Sequence, residues 1–119
     1  MSMFCFQCEQ TAGCAGCTGA QGVCGKTAAV AQLQDDLTGA LISLARAANG
    51  AAPTPATDQA MIEGLFTTLT NVNFDEASIQ RQIERVRREK EALAPGCSLC
   101  AAPCGRTAEY DLSQLWCEQ

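Results

Sequence analysis

Apolar residues recur at steps of three and four from Val30 onward, with Val30, Leu33, Leu37, Leu41, Leu44 and Ala48 on one stripe. That spacing predicts a helix from about Thr27 to Ala48, stopped by Asn49-Gly50. Residues Ala51 to Ala56, with Pro53 and Pro55, read as a linker turn. A second helix is predicted from Asp58 to about Thr70, with Thr57 as its cap. Its expected buried side is Met61, Leu65 and Leu69, and Phe66 lies next to it. The chain then turns between Asn71 and Phe74. Asn73 is placed to cap a third helix, with Glu76 three residues on in a capping-box-like arrangement. Ile79, Ile83, Val86 and Leu93 give that helix its apolar stripe, and Pro95-Gly96 ends it. Three antiparallel helices with short connections make a small bundle, so the expected fold class is all-α.

Both ends of the chain break this periodicity. Residues 1–25 hold five cysteines and five glycines, a composition suited to a loop wrapped around a cofactor. A second cysteine segment runs from Cys97 to Cys104, followed by a short helical stretch from Asp111 to Trp116. The expected organisation is one domain: a Cys-rich loop over 1–26, a three-helix bundle over 27–95, and a second Cys-rich segment with the start of a further helix over 96–119. Ending soon after Leu112, Leu115 and Trp116, the chain reads as a piece that expects more protein.

Composition narrows the chemistry. A chain of 119 residues suffices for one domain, and 5% aromatic content leaves the core to Leu, Ile, Val and Ala. The net charge of −5 argues against a nucleic-acid partner. Arg81, Arg85, Arg87, Arg88 and Lys90 cluster, but Glu84, Glu89 and Glu91 alternate with them at helix-pairing distances. This favours a solvated helix face over a docking patch for an acidic redox partner. No apolar run reaches the length of a membrane span, and Cys5 and Cys8 interrupt the place of a secretory signal. The expectation is a cytoplasmic chain whose nine cysteines stay reduced and serve as metal ligands, redox groups or both.

Histidine is absent, which excludes mixed Cys/His zinc sites, Rieske ligation and His-ligated haem. Any metal must rest on thiolate, the ligand of iron–sulfur clusters and of Cys₄ zinc. Cys5-x2-Cys8 is a chelating pair; Cys17 follows after eight residues and Cys24 after six more. Small residues between Cys17 and Cys24 let backbone N–H groups approach sulfide. Spacing alone places an iron–sulfur cluster ahead of a structural zinc site, with uncoordinated thiols behind both. Cys14, at chelating distance from Cys17, is an alternate ligand, a ligand for a second site, or a packed thiol. Cys97-x2-Cys100-x3-Cys104 is a possible second metal site, its fourth ligand Cys14 or Cys117, with free or redox-active thiols as the alternative. Glu9 and Gln10 read as capping and hydrogen-bonding groups. Lys26 reads as a surface residue at a helix start, ahead of a role in neutralising cluster charge.

The residues from Met3 to Ala12 (Met-Phe-Cys-Phe-Gln-Cys-Glu-Gln-Thr-Ala), with Gly16-Cys17-Thr18 and Gly22-Val23-Cys24-Gly25-Lys26, resemble the N-terminus of the hybrid cluster proteins. These are also called prismane proteins or hydroxylamine reductases. Leu33-Gln34-Asp35-Asp36-Leu37, Gly64 to Thr68 and Thr70 to Phe74 continue the likeness through the helices. The resemblance implies a first cluster, cubane or two-iron, that relays electrons to a hybrid iron–sulfur–oxygen cluster reducing hydroxylamine or nitric oxide, with roles in nitrosative and peroxide stress. By motif position it implies Cys5, Cys8, Cys17 and Cys24 as ligands. The short gap before Cys17 is similar to the 4Fe–4S subgroup rather than the 2Fe–2S one. The gap before Cys24 departs by one residue from some 4Fe–4S members. The hybrid-cluster ligands of the family lie in later domains that this chain lacks, so catalysis by this polypeptide alone is not expected.

The expected function is therefore an iron–sulfur electron-transfer domain that works with a redox partner protein or with the missing catalytic domains. The alternatives are a zinc- or cluster-stabilised helical binding module, and a redox or nitric oxide sensor.

Overall fold

A computed structural model describes residues 3–49, 52–69 and 74–93. Helices α1 (Ala28–Ala48), α2 (Pro55–Leu69) and α3 (Glu76–Leu93) form the bundle, preceded by the cysteine loop and its short 3₁₀ turn, Glu9–Thr11. The fold is a small all-α bundle, as the periodicity predicts, and the described residues contain only isolated bridges in place of strands.

Helix α1 starts where Thr27 accepts a hydrogen bond from the Val30 N–H at 3.2 Å, satisfying one of the donors that a helix start leaves open. Its stripe is buried as expected: Val30, Leu37, Leu41 and Leu44 join Ile79, Ile83 and Val86 of α3 in one cluster, with Leu33 and Leu93 packed against it. Each fully buried aliphatic side chain contributes roughly 1.5–3 kcal/mol. Asp75 caps α3, accepting from the Ala77 N–H at 3.1 Å. The expected cap, Asn73, lies outside the described residues, and Asp75 stands directly before the helix.

Helix α2 departs from expectation twice. It begins at Pro55, two residues before the expected cap Thr57, which is buried inside its first turn. Thr54 does the capping: its Oγ1 accepts from the Thr57 N–H at 3.3 Å, and the Thr57 Oγ1 accepts from the Thr54 N–H at 3.2 Å. Pro55 suits the first helical position because an N–H there would have no helical acceptor. The second departure is the face. Thr57, Ala60, Gly64 and Thr67 are buried, while Leu65 is 48%, Phe66 66% and Leu69 78% exposed. Of the expected side, only Met61 packs on the core. Small residues decide this orientation, since a Cβ on Gly64 would stand 2.6 Å from Leu41 Cδ2. The helices approach closely where side chains are smallest.

An ion pair between Arg85 and Glu63 ties α3 to α2, and Arg81 lies 3.9 Å from Asp75. The Gln59 amide, donating at 2.6 Å, and then the Arg85 charge hold the Glu63 carboxyl below its usual range, against some desolvation. The basic face of α3 is thus partly engaged in ordinary ion pairs. No helix among the described residues is long and apolar enough to cross a membrane.

Candidate metal centre

The cysteine loop is built on two small backbone clasps. Cys5 and Cys17 pair in antiparallel fashion, each N–H donating to the other's carbonyl at 2.9 Å, and the Met3 N–H continues the ladder to Gly19. Residues facing each other across such a pair put their side chains on the same face, so Cys5 and Cys17 stand side by side. The close approach depends on Gly16, where a Cβ would be 2.7 Å from the Cys5 carbonyl oxygen.

Between these two cysteines the chain makes the 3₁₀ turn. Cys8 precedes it, its carbonyl accepting from both the Thr11 N–H at 3.0 Å and the Thr11 hydroxyl at 2.8 Å. Glu9 and Gln10 sit exposed in this turn, whose start has no side-chain cap. Gly13 and Cys14 both have positive φ, 73° and 61°, and Cys14 is exposed.

The second clasp joins Gln21 to Thr27 and encloses Cys24. Gly22 N–H donates to the Lys26 carbonyl at 2.8 Å, and Gly25 turns the chain at φ 94°, a left-handed conformation that side chains disfavour. Cys24 is exposed on this turn.

Beneath the loop lies Lys26. The surface position expected for it is wrong: Lys26 is 0% exposed. Its Nζ donates to Gln34 Oε1 at 2.6 Å, to Gln7 Oε1 at 3.1 Å and toward Cys5 Sγ at 3.5 Å. Gln34, itself fully buried on α1, keeps an Nε2 donor with no acceptor among the described residues. Sequence reasoning missed Gln7 and Gln34. A signal existed for Gln34, which falls in register with Val30, Leu37 and Leu41 on the buried stripe.

Asp35, next along α1, has its carboxyl pushed up to about 6, first by burial and then by neighbouring Asp36, while Lys26 acts in the opposite direction. Its pKa in the folded chain lies above the unfolded value, so the folded form holds a proton that the unfolded form gives up. Stability is therefore lost as pH rises from about 4 to about 6 and stays lower above that. Asp35→Asn is expected to stabilise the chain by about 1 kcal/mol near pH 7, after discounting for partial exposure, with no gain near pH 3.5. Urea denaturation at the two pH values checks this.

Of the expected ligands, the structure brings Cys5 and Cys17 together. Cys8 and Cys24 sit on separate turns. Among the described residues, no group of three or more cysteine or acidic side chains lies close enough to hold an ion. The donor set nonetheless fits an iron–sulfur cluster in kind. Five free thiols share one loop without imidazole, and an unsatisfied buried amide donor and an ammonium lie at its base. The second set, Cys97, Cys100, Cys104 and Cys117, lies outside the described residues.

Comparison with known proteins decides the family. The model of the Prismane/CO dehydrogenase family matches residues 3–115. The chain belongs to the prismane family. A hydroxylamine reductase of Clostridium perfringens is 44% identical over 97 residues, which is 78% of this chain and 18% of the relative. One from Bacteroides thetaiotaomicron is 41% identical over 110 residues, 87% of this chain and 20% of that protein. One from Syntrophobacter fumaroxidans is 50% identical over 98 residues, 76% and 17% respectively. The chain thus spans no more than about a fifth of the length of these curated prismane relatives. Prismane proteins bind iron–sulfur clusters.

Proposed function

We propose that this chain is an iron–sulfur electron-transfer domain of the hydroxylamine reductase type, with Cys5, Cys8, Cys17 and Cys24 as ligands of a 4Fe–4S cluster. The observation that carries the reading is the Cys5–Cys17 pairing, which sets two of the four motif thiols on one face in a chain of the prismane family. A cluster held there would supply a one-electron relay. The chain's own residues do the rest. Cys5, Cys8, Cys17 and Cys24 would hold the cluster, and Lys26 and Gln34 would offer it N–H donors.

The curated relatives are named for hydroxylamine reduction, and that activity belongs to proteins about five times the length of the matched segment. The role proposed here is to deliver electrons in the cytoplasm to such a catalytic part, in the same or another polypeptide, for defence against nitrosative stress. The test is purification of the 119-residue chain without oxygen. The expected product is brown, absorbs near about 400 nm until bleached by dithionite, and carries about four iron and four acid-labile sulfide per chain. Colourless protein with stoichiometric zinc overturns the reading and leaves a zinc-stabilised binding module. A cluster that cycles reversibly but reduces no partner points instead to a sensor.

A further inference from the structure

The geometry points to Lys26 as a positioning residue that raises the reduction potential of a cluster ligated by Cys5, an inference that rests on the function just proposed. Burying an ammonium is costly unless it is well hydrogen-bonded, so one that is 0% exposed marks a place where the fold keeps a positive charge. Gln7 and Gln34 accept from its Nζ at 3.1 and 2.6 Å, and both are neutral. Neither amide adds negative charge of its own, while the Asp35 carboxyl on α1 also feels the Lys26 charge. A third direction leads to Cys5 Sγ at 3.5 Å, within the reach of an N–H···S hydrogen bond.

Gln7 lies inside the Cys5-x2-Cys8 chelate and Gln34 on the first turns of α1. The lysine is therefore clamped between the loop and the bundle, and its distance from Cys5 is set from both sides. Hydrogen bonds to sulfur and local charge are the protein's main means of setting a cluster's potential. Away from water a charge acts with less screening than at the surface. One-electron reduction, by dithionite in the test and by a donor protein in the cell, adds one negative charge beside Cys5 and moves no proton. A fixed positive charge at Lys26 favours that reduced state.

The test uses the full chain as wild type, Lys26→Met and Gln34→Glu, each loaded with ferrous iron and sulfide without oxygen. Lys26→Met removes the charge, whereas Gln34→Glu keeps the lysine and sets a carboxylate against it. Iron per chain is measured first, then the midpoint potential by redox titration. At a fixed ambient potential both variants are expected to show a reduced-to-oxidised ratio at least tenfold below wild type, a downward shift of about 59 mV. A lysine serving structure alone would lower the melting temperature and leave the potential where it was. Variants with wild-type iron content and an unchanged midpoint overturn the inference while the proposed function stands. Should Lys26→Met fail to hold iron, the Gln34→Glu midpoint decides. Loss of iron in both variants makes the clamp structural and overturns the inference. Wild-type protein that takes up no iron overturns the proposed function itself, and this inference with it.

Discussion

Cys8→Ser is expected to lower bound iron at least roughly tenfold, whereas Cys14→Ser leaves it at the wild-type level. The contrast follows from where the two residues stand. Cys8 directly precedes the 3₁₀ turn, and Thr11 bonds its carbonyl through both main chain and side chain. It is spaced to chelate together with Cys5, which the backbone pairs with Cys17. A serine hydroxyl stays protonated at neutral pH and is a hard donor, so it does not replace a thiolate toward iron. Cys14 instead sits exposed at φ 61°, next to Gly13 on the turn that follows. Changing its sulfur to oxygen leaves the backbone frame alone. Iron and sulfide assays on the two variants settle the ligand set. Full iron in Cys8→Ser, or its loss in Cys14→Ser, would transfer the ligand role to Cys14.

Legibility in the sequence varied with the kind of residue that makes each contact. Helices α1 and α3 bury large aliphatic side chains, and their stripes are visible in hydropathy; Val30, Leu37, Leu41 and Leu44 meet Ile79, Ile83 and Val86 as read. The buried face of α2 is made of Thr57, Ala60, Gly64 and Thr67, which carry almost no hydropathic signal. Close approach of α2 to Leu41 selects that face, and a one-dimensional pattern cannot express it. Leu65, Phe66 and Leu69 made the more apolar stripe on paper and are the exposed one in space.

The candidate centre divides in the same way. Cysteine spacing marks the ligands to consider, and the resemblance ordered them; neither reveals the Cys5–Cys17 pairing, which joins residues twelve apart through backbone atoms alone. The burial of Lys26 is not legible in the sequence, because its Nζ is held by Gln7, Gln34 and Cys5, contacts between loop and helix that carry no periodicity. Gln34 was legible in principle, as a polar residue inside an apolar register. Helix periodicity thus reports the scaffold, while the chemistry of the loop depends on turns and close backbone contacts.

Gly16→Ala is the second large effect expected, and it tests that dependence. The new Cβ would lie 2.7 Å from the Cys5 carbonyl oxygen and 3.5 Å from its carbon. Both are backbone atoms in the clasp, so no rotamer change relieves the contact. The Cys5–Cys17 pair must open, and with it the two reciprocal hydrogen bonds and the Met3–Gly19 bond that extends them. Each is worth about 1 kcal/mol. The bundle should hardly notice, because its apolar cluster draws no residue from before Val30. Helical circular dichroism and the melting temperature of the chain without iron are therefore expected to stay near wild type. Iron uptake should fall at least roughly tenfold, since parting Cys5 from Cys17 costs the site two ligands from their shared face. Wild-type iron content in Gly16→Ala would show that the pairing does not organise the centre. Collapse of the helical signal would show that loop and bundle fold as one unit.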